Sequence, residues 1–178
     1  MSDSEPEVRS KWGAPARLPL ALSGLLAVVA ATLLALVVIG MLLYFLWRRW
    51  IDTVLVLAPL LLAGVLTLGT LVAFGIPFNF ANVIVLPLLL GIGVNSGIHL
   101  VHRARVTGKV GAVLLSETTA RAVFYSAVTT ITSFGTLVLS NHRGIQSLGE
   151  VLVIGIFFTL ACNLMVLPAL LGLAPRPR

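Results

Sequence analysis

Long apolar runs, broken by short basic clusters, set the pattern of this sequence. A helix of about 20 apolar residues, rising 1.5 Å per residue, crosses roughly 30 Å of hydrocarbon. Five stretches reach or approach that length, at about 22–46, 54–74, 83–101, 122–139 and 148–171. The pattern predicts an all-α polytopic membrane protein of about five transmembrane helices, its bundle lying within 18–173. Residues 1–17 read as a disordered polar leader holding Pro6 and Pro15, and 174–178 as a basic tail. The first apolar run is too long for the core of a signal peptide. The first span is expected to start near Leu22, past Pro19, and Pro59 lies inside the second. Gly75-Ile76-Pro77-Phe78-Asn79-Phe80 has the chemistry of a tight connection. His102 to Lys109 reads as a basic loop, and Val110 to Arg121 as a short interfacial helix leading into the fourth span. Asn141-His142-Arg143-Gly144 reads as a turn.

Composition strengthens this picture. The chain is 58% hydrophobic and 10% charged, with mean hydropathy +1.08, which excludes a soluble domain of this size. The net charge of +6 sits where membrane loops fall, so lipid headgroups rather than nucleic acid are the expected partners. Tyr44, Trp47 and Trp50 form an interfacial aromatic belt beside Arg48 and Arg49. With the N-terminus outside, Arg48, Arg49, Arg103, Arg105, Lys109, Arg121, Arg176 and Arg178 lie inside, against Arg9, Lys11, Arg17 and Arg143 outside. Eight against four favours a periplasmic N-terminus and a cytoplasmic C-terminus. The first helix alone has more basic residues before it than after it. That is the pattern expected if an external domain precedes it, as in a fragment of a longer protein.

Asn95 is the one amide in the third span, past its middle and towards the inner face. A buried amide in hydrocarbon needs partners, so helix–helix hydrogen bonding is its plain structural reading. The functional reading places it in a polar translocation or proton path, orienting a water or proton without titrating. Gly91, Gly93 and Gly97 surround it as helix-packing positions, with Gly93 and Gly97 four apart on a small-residue face. Pro87 is expected to kink or loosen the helix. His99 and His102, three apart, could share a face, but they lack co-ligands for a metal site. An interfacial role is the simpler reading for both, and for His142. Thr129, Thr130, Thr132 and Ser133 form a cluster of hydroxyls that either bond back to the preceding turn or face a polar neighbour such as Asn95. Glu117 and Arg121 have the spacing of a surface pair, and Glu150 is expected near the outer interface. The lone Cys162 excludes a disulfide framework. No pattern for an enzyme, a cofactor or a metal centre is present, so none of the three is expected.

The residues 75–82, GIPFNFAN, followed by Pro87 and the run 91–99, GIGVNSGIH, resemble the resistance–nodulation–division superfamily. Within it they are most similar to the hopanoid-associated exporters of the large mycobacterial-membrane-protein-like branch. Arg121-Ala122-Val123, Ser126 to Ile131 and Phe134-Gly135 match the helix that packs against the relay helix in that family. Leu167 to Leu171 match the closing helix. The resemblance covers about 22–173 and implies helices eight to twelve of a twelve-helix transporter. It implies proton-driven export of hopanoid or other lipid from a bacterial inner membrane, with the N-terminal half or a further copy as partner. It also implies that Asn95 occupies the relay position, with Ser96, His99, Thr129 and Thr130 as neighbours on the path. Where that branch reads G-I-G-V-D-S-G-I-H, this chain has Asn95 in place of the acid. A transporter module inactive alone is therefore expected, with a truncated, non-transporting or lipid-sensing bundle as the alternative.

Overall fold

The computed structural model describes residues 17–76 and 84–173. The leader, the tail and most of the connection after the second span lie outside the described residues. Seven α-helices follow in order among the described residues: α1 (Arg17–Trp47), α2 (Trp50–Ala73), α3 (Val85–Thr107), α4 (Ala112–Leu115), α5 (Thr118–Val138), α6 (Arg143–Ala161) and α7 (Leu167–Leu173). A π-helical stretch, Cys162–Val166, joins the last two into one continuous rod. No strand occurs among the described residues.

Two apolar clusters mark the ends of the bundle. One gathers Leu43, Val56, Leu100, Val101, Leu114, Val123 and Leu167; the other gathers Leu71, Val85, Leu89, Val151, Leu152 and Ile156. α2, α3, α5 and the rod of α6 and α7 can be traced from one cluster to the other, whereas α1 reaches only the first. α5 runs from Ala120 and Val123 in the first to Ile131 and Phe134 against the second. Four helical segments have the length and apolarity of membrane spans: Leu26–Trp47, Trp50–Ala73, Val85–Thr107 and Arg143–Leu173. α5 is the fifth to traverse the bundle, roughly 31 Å long at 1.5 Å per residue.

Several sequence expectations shift at the helix ends. α1 begins at Arg17, so Pro19 falls in its first turn, where a missing N–H costs no helix bond. Pro87 likewise lies in the first turn of α3, so it opens that helix instead of kinking it. The expected basic loop from His102 is helical as far as Thr107, where Gly108, at φ 68°, caps α3 and donates to the Ala104 carbonyl. The interfacial helix shrinks to the single turn of α4, and α5 starts four residues early at Thr118. The fifth span starts earlier too, at Arg143 within the expected turn. The π stretch lies immediately before Pro168, which cannot donate to the preceding turn. α1 and α2 meet through two residues, with Arg48 in the left-handed region at φ 51°.

Most of α1 is exposed, with Leu33, Leu34, Val37, Leu42, Phe45 and Leu46 projecting outward as lipid-facing residues do. α2, α3 and α6 form the packed centre, and α5 lies outside them, close along α6. A Cβ on Gly149 would fall 2.8 Å from Leu137 Cβ and 3.0 Å from the Val138 nitrogen. Only glycine allows α5 and α6 to approach this closely there.

A polar groove along the third helix

α3 turns two chemically different sides to its surroundings. Gly93, Gly97, Leu100, Val101 and Ala104 are buried against α2, α6 and the π stretch. A Cβ at Gly93 would lie 2.3 Å from Leu60 Cδ1 and 2.8 Å from Thr159 Cγ2, and one at Gly97 would lie 3.0 Å from Val56 Cγ1. These two glycines are where backbones come close. Gly91 has open space on its Cβ side and borders the groove, so its expected packing role does not hold.

The opposite side of α3 diverges from α5 and leaves two adjoining hollows of about 600 and 490 Å³. Asn95, Ser96 and Ser126 border both. The larger continues past Pro87, Gly91, Ile92, Thr130 and Thr159, and the smaller past His99, Arg103, Thr118 and Thr119. Asn95 is exposed, and its side chain makes no hydrogen bond to a described residue. The expectation of a buried amide bonded to a facing helix is therefore corrected: its side chain is turned into the groove. One turn of helix separates Asn95 from His99, which puts both on this side. His102 instead borders a separate cleft with Asp52 and Arg105, so the two histidines do not share a face. His142 is exposed at the start of α6.

The hydroxyls of α5 satisfy themselves within the helix. Thr129, Thr130, Thr132 and Ser133 donate to the carbonyls of Tyr125, Ser126, Val128 and Thr129 at 2.8–2.9 Å. That back-bonding lets a hydroxyl-rich helix stand beside lipid without an unsatisfied donor. Thr130 borders the groove, whereas Thr129 is exposed and does not line it.

Two polar contacts escaped the sequence reading. The first is the ion pair of Asp52, buried in the first turn of α2, with Arg105 in the last turn of α3; Arg105 Nε donates to Asp52 Oδ1 at 2.8 Å. Asp52 lies between the first two expected spans, and an acid at the head of one helix with a base at the foot of its neighbour is a legible signal. The second is Asn163, buried in the π stretch, whose Nδ2 donates to the Gly93 carbonyl at 3.4 Å. It is an amide in an apolar run, the same signal that singled out Asn95.

Glu117 takes different partners from those its spacing suggested. It accepts from Arg103 Nη2 at 2.9 Å and Lys109 Nζ at 2.5 Å, while Arg121 is not its salt-bridge partner. The hydrogen bond from Lys109, then that from Arg103, holds its carboxyl below the usual glutamate range. Glu150 accepts from Gln146 Nε2 at 2.9 Å within its own helix.

A multi-pass α-helical membrane module with a polar groove through its apolar bundle is the class that this geometry defines. No family profile matches the chain. Individual relatives do: it is 44% identical over 150 residues to the hopanoid transporter HpnN of Rhodopseudomonas palustris and 40% identical over 152 residues to that of Burkholderia multivorans. These matches cover 84% and 85% of this chain and 17% of each relative. A membrane protein of Methanocaldococcus jannaschii is 32% identical over 146 residues, covering 79% of this chain and 37% of that protein. Over these residues the chain is similar to a short part of two hopanoid transporters. Its membrane is a bacterial inner membrane. The chain spans about a sixth of the length of the two hopanoid transporters.

Proposed function

We propose that the chain forms part of the membrane sector of a lipid exporter, with hopanoids or chemically similar polycyclic lipids as its cargo, and has no enzymatic role. The similarity to two hopanoid transporters carries this reading. In it, the groove between α3 and α5 faces the remainder of a larger transporter, supplied by further sequence or a second copy. Asn95, Ser96, His99 and Thr130 line the path there, with Thr129 beside it. An amide does not titrate near neutral pH, so Asn95 orients water or a passing proton and does not drive the cycle. The chain alone does not pump. A charge difference between the bundle ends bears on its orientation: Arg48, Arg49, Arg103, Arg105, Lys109 and Arg121 cluster at the end where α3 finishes, and Arg17 and Arg143 lie at the other. That asymmetry supports a cytoplasmic basic end, a periplasmic N-terminus and a cytoplasmic C-terminus.

The test is reconstitution in liposomes with a hopanoid-release and proton-flux assay. The chain alone is expected to be silent. In a complete transporter carrying this segment, Asn95→Asp is expected to raise pH-dependent export. Release by the isolated chain would overturn the reading of a dependent module, and an unchanged pH response on Asn95→Asp would remove the groove from the proton path. A second reading, a lipid-sensing bundle that does not pump, is favoured by the neutral Asn95. Saturable binding of a cross-linkable hopanoid without export by the complete assembly would select it.

A further inference from the structure

A cleft at the basic end of the bundle lies apart from the groove and has no part in the transport reading. It has a volume of about 320 Å³ and is lined by Trp47, Arg49, Asp52, His102, Arg105 and Val106. Three helices build it: the end of α1, the start of α2 and the last turns of α3. Their charges fall into two layers. Asp52 and Arg105 are tied to each other, and Asp52 is only 4% exposed, so this pair neutralises itself. Arg49 and His102 are exposed at the cleft, and neither side chain is hydrogen-bonded or ion-paired to a described residue; Arg49 takes part only through its backbone carbonyl, which accepts from Thr53 Oγ1 at 3.4 Å. The surplus charge is therefore positive and directed outward. Arg48 precedes Arg49 in the same turn, where its left-handed backbone permits the two-residue reversal that brings α1 and α2 together.

The apolar part of the lining fits the same depth. Trp47 is half-buried, while Tyr44 and Trp50 stack at 4.4 Å between ring centroids beside the turn. Indole and phenol rings favour the headgroup level of a bilayer. A guanidinium there offers paired donors to phosphate oxygens, and an imidazole adds one N–H. Apolar walls from Trp47 and Val106 suit the glycerol and upper acyl region below the phosphate.

We propose that this cleft seats the headgroup phosphate of an anionic phospholipid, held by Arg49 and His102 over the Asp52–Arg105 pair. The lipid would act as a lateral anchor for the joint of α1, α2 and α3.

The full chain in nanodiscs of equimolar phosphatidylglycerol and phosphatidylcholine tests this. The nanodiscs are stripped with detergent, and the lipid still attached is counted by mass spectrometry. Retained lipid should be enriched in phosphatidylglycerol by about fivefold, the effect of roughly one surface cation. Combined Arg49→Gln and His102→Gln should remove the enrichment, Arg49→Glu should reverse it, and Arg143→Gln at the other end should leave it intact. Circular dichroism confirms that each variant is helical. An unenriched parent chain, or enrichment that survives the double substitution, overturns the proposal. Displacement of the lipid by millimolar inorganic phosphate also overturns it, since the cleft would then be a general anion site.

Discussion

The inner and outer sides of α3 obey different rules, although residues of both lie within one turn of each other. On the inner side Gly93 and Gly97 replace side-chain volume with close backbone approach, and Asn163 is bonded back to the Gly93 carbonyl. On the outer side Asn95 and His99 are exposed to a groove, and their side chains are bonded to no described residue. One side is fixed by packing; the other is left chemically open. The same helix is fastened at its foot by two acids, Asp52 on Arg105 and Glu117 on Arg103. α3 is therefore held on one side and at one end, and it presents its polar groups on the side that remains.

The largest effect expected from breaking that arrangement is at the foot of the helix. Asp52→Ala leaves Arg105 without its carboxylate in a largely covered site and should destabilise the bundle by about 3 kcal/mol. Replacing both partners by apolar residues, Asp52→Leu with Arg105→Met, should recover much of the loss, because neither charge then remains uncompensated. Reversible unfolding in mixed micelles measures both. A double variant as unstable as the single one would mean that the ion pair itself, not the orphaned charge, sets the cost.

The two glycines at either end of the GIG sequence sharpen the comparison next. Gly93→Ala brings a Cβ into Leu60 and the short, branched Thr159 side chain, and should cost roughly 1–3 kcal/mol. Gly91→Ala meets nothing within 4 Å and should be neutral, or stabilising by up to about 1 kcal/mol. Equal effects at the two positions would dissolve the distinction between the sides. Asn95→Ala follows with a smaller change, within about 0.5 kcal/mol, since no described partner is lost. A larger loss in the same micelles would reveal a partner bound in the groove.

Much of this architecture could be read from the sequence because apolar runs and their length carry it. The glycines could be placed in a small-residue pattern, and at 100° per residue Gly91 and Gly93 lie about 200° apart, but only the positions of α2 and α6 decide which side is inner. The end of α3 was misjudged because Arg103 and Arg105 resemble loop residues until Glu117 and Asp52 are known to lie beside them. Two acids distant in sequence let the helix run six residues past Val101, to Thr107. The hydroxyls of Thr129 and Thr130 were visible, and so was their bonding back to the previous turn as one of two options. That only Thr130 reaches the groove depends on the rotation of α5 against α6, fixed in part by the close contact at Gly149. Asp52 and Asn163 needed only the rule applied to Asn95, extended to every polar residue beside an apolar run.

The smallest expected effect concerns the second fastening, and it responds to pH. Lys109 and Arg103 hold the Glu117 carboxyl below its ordinary value, so the folded chain binds that proton less readily than the unfolded one. The contribution is present above the carboxyl's unfolded value and is lost as pH falls through the lower, folded one. Below that point Lys109 and Arg103 lose their common anion, while the Asp52–Arg105 pair at the neighbouring helix is a separate contact. Hydrogen exchange of the backbone amides from Gly108 to Ala120 should therefore speed up on acidification, after correction for the intrinsic rate. Glu117→Gln should exchange faster at neutral pH and lose that acid-dependent step. If the step persists in Glu117→Gln, another titrating group governs the connection, and the foot of α3 is fastened to α5 by packing of Leu114, Ala120 and Val123 rather than by charge.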